Sequence, residues 1–103
     1  MKKQLIVTIG TAVLALASST AIAASGEALF NQHCAVCHPD GGNIVNKART
    51  LHKNDLNQNG IKDWKGVVKN IRTPGPGMTA FDAKTISDKD AKAIAEYVLK
   101  TFK

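Results

Sequence analysis

The only two cysteines of this 103-residue chain stand three positions apart and are followed at once by a histidine, as Cys34-Ala35-Val36-Cys37-His38. Few short patterns restrict a fold so tightly, because Cys-x-x-Cys-His is the attachment sequence of a c-type haem. Two intervening residues on a helical turn hold the thiols at the separation of the ring's two vinyl groups, so both can close thioether bonds along one edge. His38 then lies beneath the iron with a ring nitrogen to donate as the proximal ligand. A chain built on this motif has to wrap a flat apolar ring.

Three other uses of the cysteines compete with that reading. A structural disulfide suits an oxidising compartment, but it would close a tiny loop and stabilise little. A thioredoxin-like redox pair needs a strand and helix context that the flanking sequence does not offer. A zinc site needs four closed ligands, and the remaining imidazoles, His33 and His52, do not sit at finger spacing.

Residues 1–23 have the pattern of a cleaved signal peptide. Lys2 and Lys3 form a charged start, Leu5 to Ala17 an apolar middle, and Ala21-Ile22-Ala23 a small-x-small cleavage site. The competing reading, an uncleaved anchor, needs a span of about 20 apolar residues, and no cysteine stands at the cleavage site to carry a lipid. The expected mature domain, residues 24–103, is 80 residues long. A domain of that size buries only roughly 60% of its unfolded surface and needs a cofactor or staple to enlarge its core. Without Lys2 and Lys3 it has 12 basic residues against 8 acidic ones. That balance predicts redox partner proteins with acidic docking surfaces or an anionic cofactor. Nucleic acid fits poorly, because the lysines are scattered and the chain is exported.

Periodicity predicts an all-α domain. A first helix is expected from about Gly26 through Cys37, with Leu29, Phe30 and Val36 among its apolar residues, ended by Pro39 and Gly41-Gly42. After a long loop come a short helix over Lys53 to Gln58, closed at Asn59-Gly60, and a helix striped by Ile61, Trp64, Val67, Val68 and Ile71. Thr73-Pro74-Gly75-Pro76-Gly77 stops the latter. The last helix keeps Ala91, Ile94, Ala95, Val98, Leu99 and Phe102 on one face, with Ser87 as N-cap and Asp88 and Asp90 near the positive end of its dipole. No segment alternates long enough to form a strand.

An iron held by one imidazole still has an open side. A strong internal ligand there makes an electron carrier, and a vacancy makes an enzyme or gas binder. The candidates are Met78, His33 and His52. His33 is tethered beside the ring by Cys34, and His52 fits a solvated residue at a helix start. Met78 lies forty residues past His38 in a Pro/Gly loop that can stand rigidly on the far side. A lone methionine is more often core filler, but packing methionines belong on apolar helix faces. A thioether is a soft ligand that favours ferrous iron and raises the reduction potential.

Taken together, Cys34 to His38, Gly41-Gly42-Asn43 with Val45, Thr50-Leu51 with Lys53, Met78, and Ala95-Glu96-Tyr97-Val98 resemble the class I monohaem c-type cytochromes, and most closely the cytochrome c6 branch. The resemblance spans Ser25 to Phe102. It implies four to five helices around one covalently bound haem c, with the N- and C-terminal helices crossing through Gly26, Phe30 and Tyr97. It also implies a monomeric exported single-electron carrier in the periplasm or thylakoid lumen. Such a carrier has no catalytic residue, and no membrane anchor after signal cleavage. Thr79 departs from the branch, which typically has Pro after the ligand Met, and no photosynthetic role is carried over. The alternative is a peroxidase-like enzyme or gas-binding sensor with a displaceable sixth ligand.

Three weaker signals remain. Asp55 to Gly60 copies half of an EF-hand loop, but Gly66 stands where its twelfth-position Glu belongs. Trp64 is read as core. Lys47, Arg49 and Lys53 are placed to screen haem propionates or simply to face solvent.

Overall fold

The computed structural model describes residues 24–103 and, before them, Gly10 alone. The expected leader and its cleavage site therefore lie outside the described residues. Among the described residues the order is α1 (Gly26–His33), α2 (Lys53–Gln58), α3 (Trp64–Arg72) and α4 (Asp88–Thr101), with a 3-10 turn at Pro39–Gly41. No strand occurs among the described residues, so the domain is all-α as the sequence predicts.

Three of the four described helices start where a side chain satisfies a free amide. Ser25 accepts from Ala28 N at 3.1 Å to open α1, Asp63 from Gly66 N at 2.9 Å to open α3, and Ser87 from Asp90 N at 3.1 Å to open α4. The Asp63 cap explains why α3 begins at Trp64 although its apolar stripe starts at Ile61.

At its other end, α1 stops at His33 rather than running to Cys37. The amides of Cys34 and Ala35 share the Phe30 carbonyl, and Cys37 and His38 both turn back on Cys34 O. Pro39 disfavours helical backbone at the residue before it, and His38 sits at φ −121, ψ 54. Val36 is thereby carried out of the helix. It is 78% exposed, a correction to its expected place among the apolar helix residues.

The core gathers on α4. Ala91, Ile94, Ala95 and Val98 are buried there, with Leu29 and Phe30 from α1, Leu56 from α2, Val67 and Ile71 from α3, and Ile86 from the preceding loop. The helix α4 packs against both α1 and α3. At the α1–α4 contact a side chain on Gly26 would strike the Ala93 carbonyl and come within 2.9 Å of Tyr97 Cβ. Only glycine lets the two backbones approach this closely. Phe30 then meets Tyr97 and Phe102 at ring-centroid distances of 5.4 and 5.3 Å. Gly26→Val is expected to lower stability by about 1–3 kcal/mol through overpacking. Denaturant titration of the holoprotein checks this, and an unchanged midpoint would contradict it.

The turn leading into α4 rests on Asp82. Hydrogen bonds from the backbone and then the hydroxyl of Thr85 hold its carboxyl below the usual aspartate range. Because the folded value is depressed, this support is complete above the ordinary value of 3.8 and fades as pH falls through the folded value.

Candidate functional site

Between the α1–turn segment and the loop after α3 lies a cleft of about 180 Å³. One wall is made by His33, Cys34, Cys37 and His38, the floor by Leu51, Leu56 and Ile61, and the remaining wall by Asn70 and Gly75 to Thr79. A smaller cavity of about 40 Å³ is also lined by Cys34, His38 and Met78 and extends to Phe30, Ile94 and Val98 in the core. The fold thus brings Cys34, Cys37, His38 and Met78 to one cleft from segments forty residues apart. His33 joins them and packs edge-on to Phe81 at 5.9 Å. His52 does not. It stands exposed at the start of α2 without capping it, with its ring against Phe102 and Nδ1 3.4 Å from the Lys103 carbonyl.

His38 is the one polar residue among the buried described residues. Its Nδ1–H donates to the Gly42 carbonyl at 2.7 Å, which fixes the tautomer and leaves the Nε2 lone pair for a metal. The 3-10 turn delivers that carbonyl, and Ile44 N bonds back to Cys37 O at 3.0 Å to tie the loop to the cysteine motif. On the other side, Met78 is half-buried in a turn closed by its own amide on Gly75 O at 3.5 Å. Gly77 enables this turn with φ +90, and a Cβ there would press Val45 at 2.9 Å. The Asn70 amide donates to Met78 Sδ at 3.6 Å.

Comparison with known proteins decides what such a cleft belongs to. The family model described as cytochrome c oxidase, cbb3-type, subunit III matches residues 21–98. Cytochrome c6 of Leptolyngbya boryana is 39% identical over 77 residues, covering 75% of this chain and 89% of that protein. The chain belongs to the class I monohaem c-type cytochromes, close to the c6 branch. Two solved structures agree. The outer membrane cytochrome OmcF of Geobacter sulfurreducens superposes with a TM-score of 0.75 at 46% identity, covering 77% of this chain and all of that one. Cytochrome c6C of Synechococcus sp. PCC 7002 does so with a TM-score of 0.70 at 30% identity, covering 75% and 93%.

A class I monohaem cytochrome has one covalent haem c, and the donors in the cleft suit it: two thiols, one imidazole with a free nitrogen, one thioether, and an apolar floor. Cys34 also argues against a redox dithiol. Burial pushes its thiol up to about 11, whereas reactive pairs depend on a lowered value.

Two polar contacts of the cytochrome escaped the sequence reading. Asn70 lies eight residues before Met78 on a helix, and Gly42 contributes only a backbone carbonyl, so neither leaves a local pattern. Of the three basic residues considered for propionates, Arg49 alone lines the cleft, its guanidinium 3.6 Å from where a Gly75 Cβ would stand. Asn43 shapes that loop, accepting from Val45 N and Asn46 N at 2.9 Å and donating to Arg49 O at 2.8 Å.

The Asp55–Gly60 segment is a helix and its closing turn, with the Asp55 carboxylate engaged by the Thr50 hydroxyl. No group of three or more His, Cys, Asp or Glu residues is arranged for a metal ion among the described residues. Trp64 lies outside the cleft, half-buried with Lys92 Nζ 4.7 Å from its ring.

Proposed function

We propose that this cytochrome is an exported carrier of single electrons between protein partners, ligated by His38 and Met78 and working by outer-sphere transfer. The observation that carries the reading is the shared cleft. An imidazole locked at Nδ1 and a thioether held in a Pro/Gly turn meet beside two thiols on an apolar floor.

The haem, when bound, supplies a one-electron ferric/ferrous couple. Cys34 and Cys37 would hold it through thioether bonds, and His38 Nε2 and the Met78 sulfur would be its iron's protein ligands. With both donors engaged, no position would be left at the metal for a substrate. Leu51, Leu56 and Ile61 exclude water and keep the surroundings low in dielectric, so little rearranges as charge changes. The second reading, an enzyme or sensor, requires Met78 to leave readily, and its turn and its bond from Asn70 oppose that.

Val36, Ile44 and Val45 are exposed apolar side chains next to the cysteine motif. Together with the excess of lysines they suit brief docking on an acidic partner, with rates that fall as salt rises. No helix among the described residues is long and apolar enough to cross a membrane. A monomer released into the periplasm or an equivalent lumen is the matching form, starting at Ala24. Terminal sequencing of the exported protein tests the cleavage, and recovery with a membrane fraction would contradict release.

An optical spectrum of the purified protein tests the ligation. A six-coordinate low-spin spectrum with the near-infrared sulfur-to-iron band is expected, and a high-spin spectrum that shifts with carbon monoxide would favour the enzyme or sensor. Asn70 provides a finer check. Its amide presents the positive end of a dipole to the sulfur, which favours the ferrous state. Asn70→Val is therefore expected to keep the band but lower the reduction potential by voltammetry. A raised potential would overturn this role.

A further inference from the structure

The segment between α3 and α4, residues 73–87, contains no helix or strand, yet it presents Met78. One side chain of α3 makes two hydrogen bonds to this segment and a third contact at the start of α4. Arg72, the last residue of α3, donates from one terminal nitrogen of its guanidinium to the Phe81 carbonyl at 3.1 Å and the Ile86 carbonyl at 2.7 Å. Its other terminal nitrogen meets Asp88 Oδ1 at 2.7 Å. Beside it, Phe81 N bonds to Ile71 O at 3.0 Å.

These contacts bend the chain back on itself. The stretch from Thr73 to Ala80 leaves α3 at Arg72 and is pinned to Arg72 again at Phe81, with Met78 near the far end of the closed loop. Ile86, whose carbonyl is the second acceptor, has its side chain fully buried at 1% exposure, so the tie reaches the core. The guanidinium side chain is only 22% exposed, whereas Asp88 is 91% exposed. The ion pair is therefore screened, and the carbonyl bonds, charge-assisted and partly shielded, do most of the holding. A planar fork reaches all three acceptors at once, which a lysine ammonium does not.

We propose that Arg72 is a positioning residue for the sixth ligand, pinning the loop so that the Met78 thioether resists exchange by outside ligands. This rests on the reading of Met78 as an iron ligand. Without the pin the loop is closed at Phe81 by the single backbone bond from Phe81 N to Ile71 O, and its hold on Met78 is looser. Sulfur then leaves more often, although nothing at the iron has changed.

The test is titration of the ferric holoprotein with imidazole, followed by loss of the near-infrared band. Arg72→Gln is expected to keep the band at the outset and keep the potential close to that of the parent. Its imidazole affinity should rise about tenfold, the scale of one lost charge-assisted hydrogen bond. Asp88→Asn should change affinity little. Should Arg72→Gln yield no holoprotein, Arg72→Lys is read the same way, with a smaller rise expected. Parental affinity in the folded variant overturns the proposal, as does a rise no larger than its loss of global stability accounts for. A parent protein without the band overturns both this role and the ligation on which it rests. A parent with the band and a variant no easier to displace overturns Arg72 alone.

Discussion

Replacing Met78 by alanine is expected to abolish the near-infrared sulfur-to-iron band and to lower the reduction potential by a few hundred millivolts, within the range of about 0.8 V over which axial ligands set haem potentials. The thioether is a soft donor that stabilises ferrous iron, and no other described side chain stands ready to replace it. His33 belongs to the cysteine side of the cleft, and His52 is outside it. The ferrous variant should bind carbon monoxide, which the parent should resist. The Asn70 and Arg72 substitutions separate two parts of the same effect. One alters the electrostatics at sulfur while keeping the ligand, and the other alters how firmly the ligand is held. An unchanged band in the Met78 variant would eliminate this residue from the iron.

Replacing Cys34 and Cys37 together by serine should have the larger structural effect. The expected product keeps no haem through denaturing electrophoresis and loses most of its helical signal by circular dichroism. The reason is the position of the cleft within the core. Phe30, Leu56, Ile61, Val67, Ile71, Ile94 and Val98 line the cavities as well as packing with one another. In an 80-residue domain that buries roughly 60% of its unfolded surface, those contacts decide whether the chain folds. Native-like helicity with a cooperative melt in the serine variant would show that the polypeptide core suffices alone.

What could be read from the sequence follows how local each cause is. The helix α4 was legible because Ala91, Ile94, Ala95 and Val98 keep one period for three turns behind a serine cap. The helix α2 was legible because Asn59-Gly60 marks its end. The boundaries of α1 and α3 were misplaced where a single polar or proline contact outranks periodicity. Asp63 sets the start of α3 three residues past Ile61, and the turn before Pro39 ends α1 and puts Val36 into solvent.

The site divides in the same way. Cys34, Cys37 and His38 carry a fixed spacing, and Met78 stands out because a methionine after Pro74-Gly75-Pro76-Gly77 has no helix face to fill. Asn70 and Arg72 look like ordinary polar residues of an amphipathic helix. Their importance depends on a loop that returns to them, through contacts eight to sixteen residues away in sequence. Arg49 was one of three equivalent cations until the fold placed it alone at the cleft.

The most direct test is the intact mass of the exported protein after denaturation. A chain beginning at Ala24 and heavier by one haem, with no thiol left to alkylate, is the predicted result. A mass equal to the polypeptide alone, with both Cys34 and Cys37 alkylated, would contradict it.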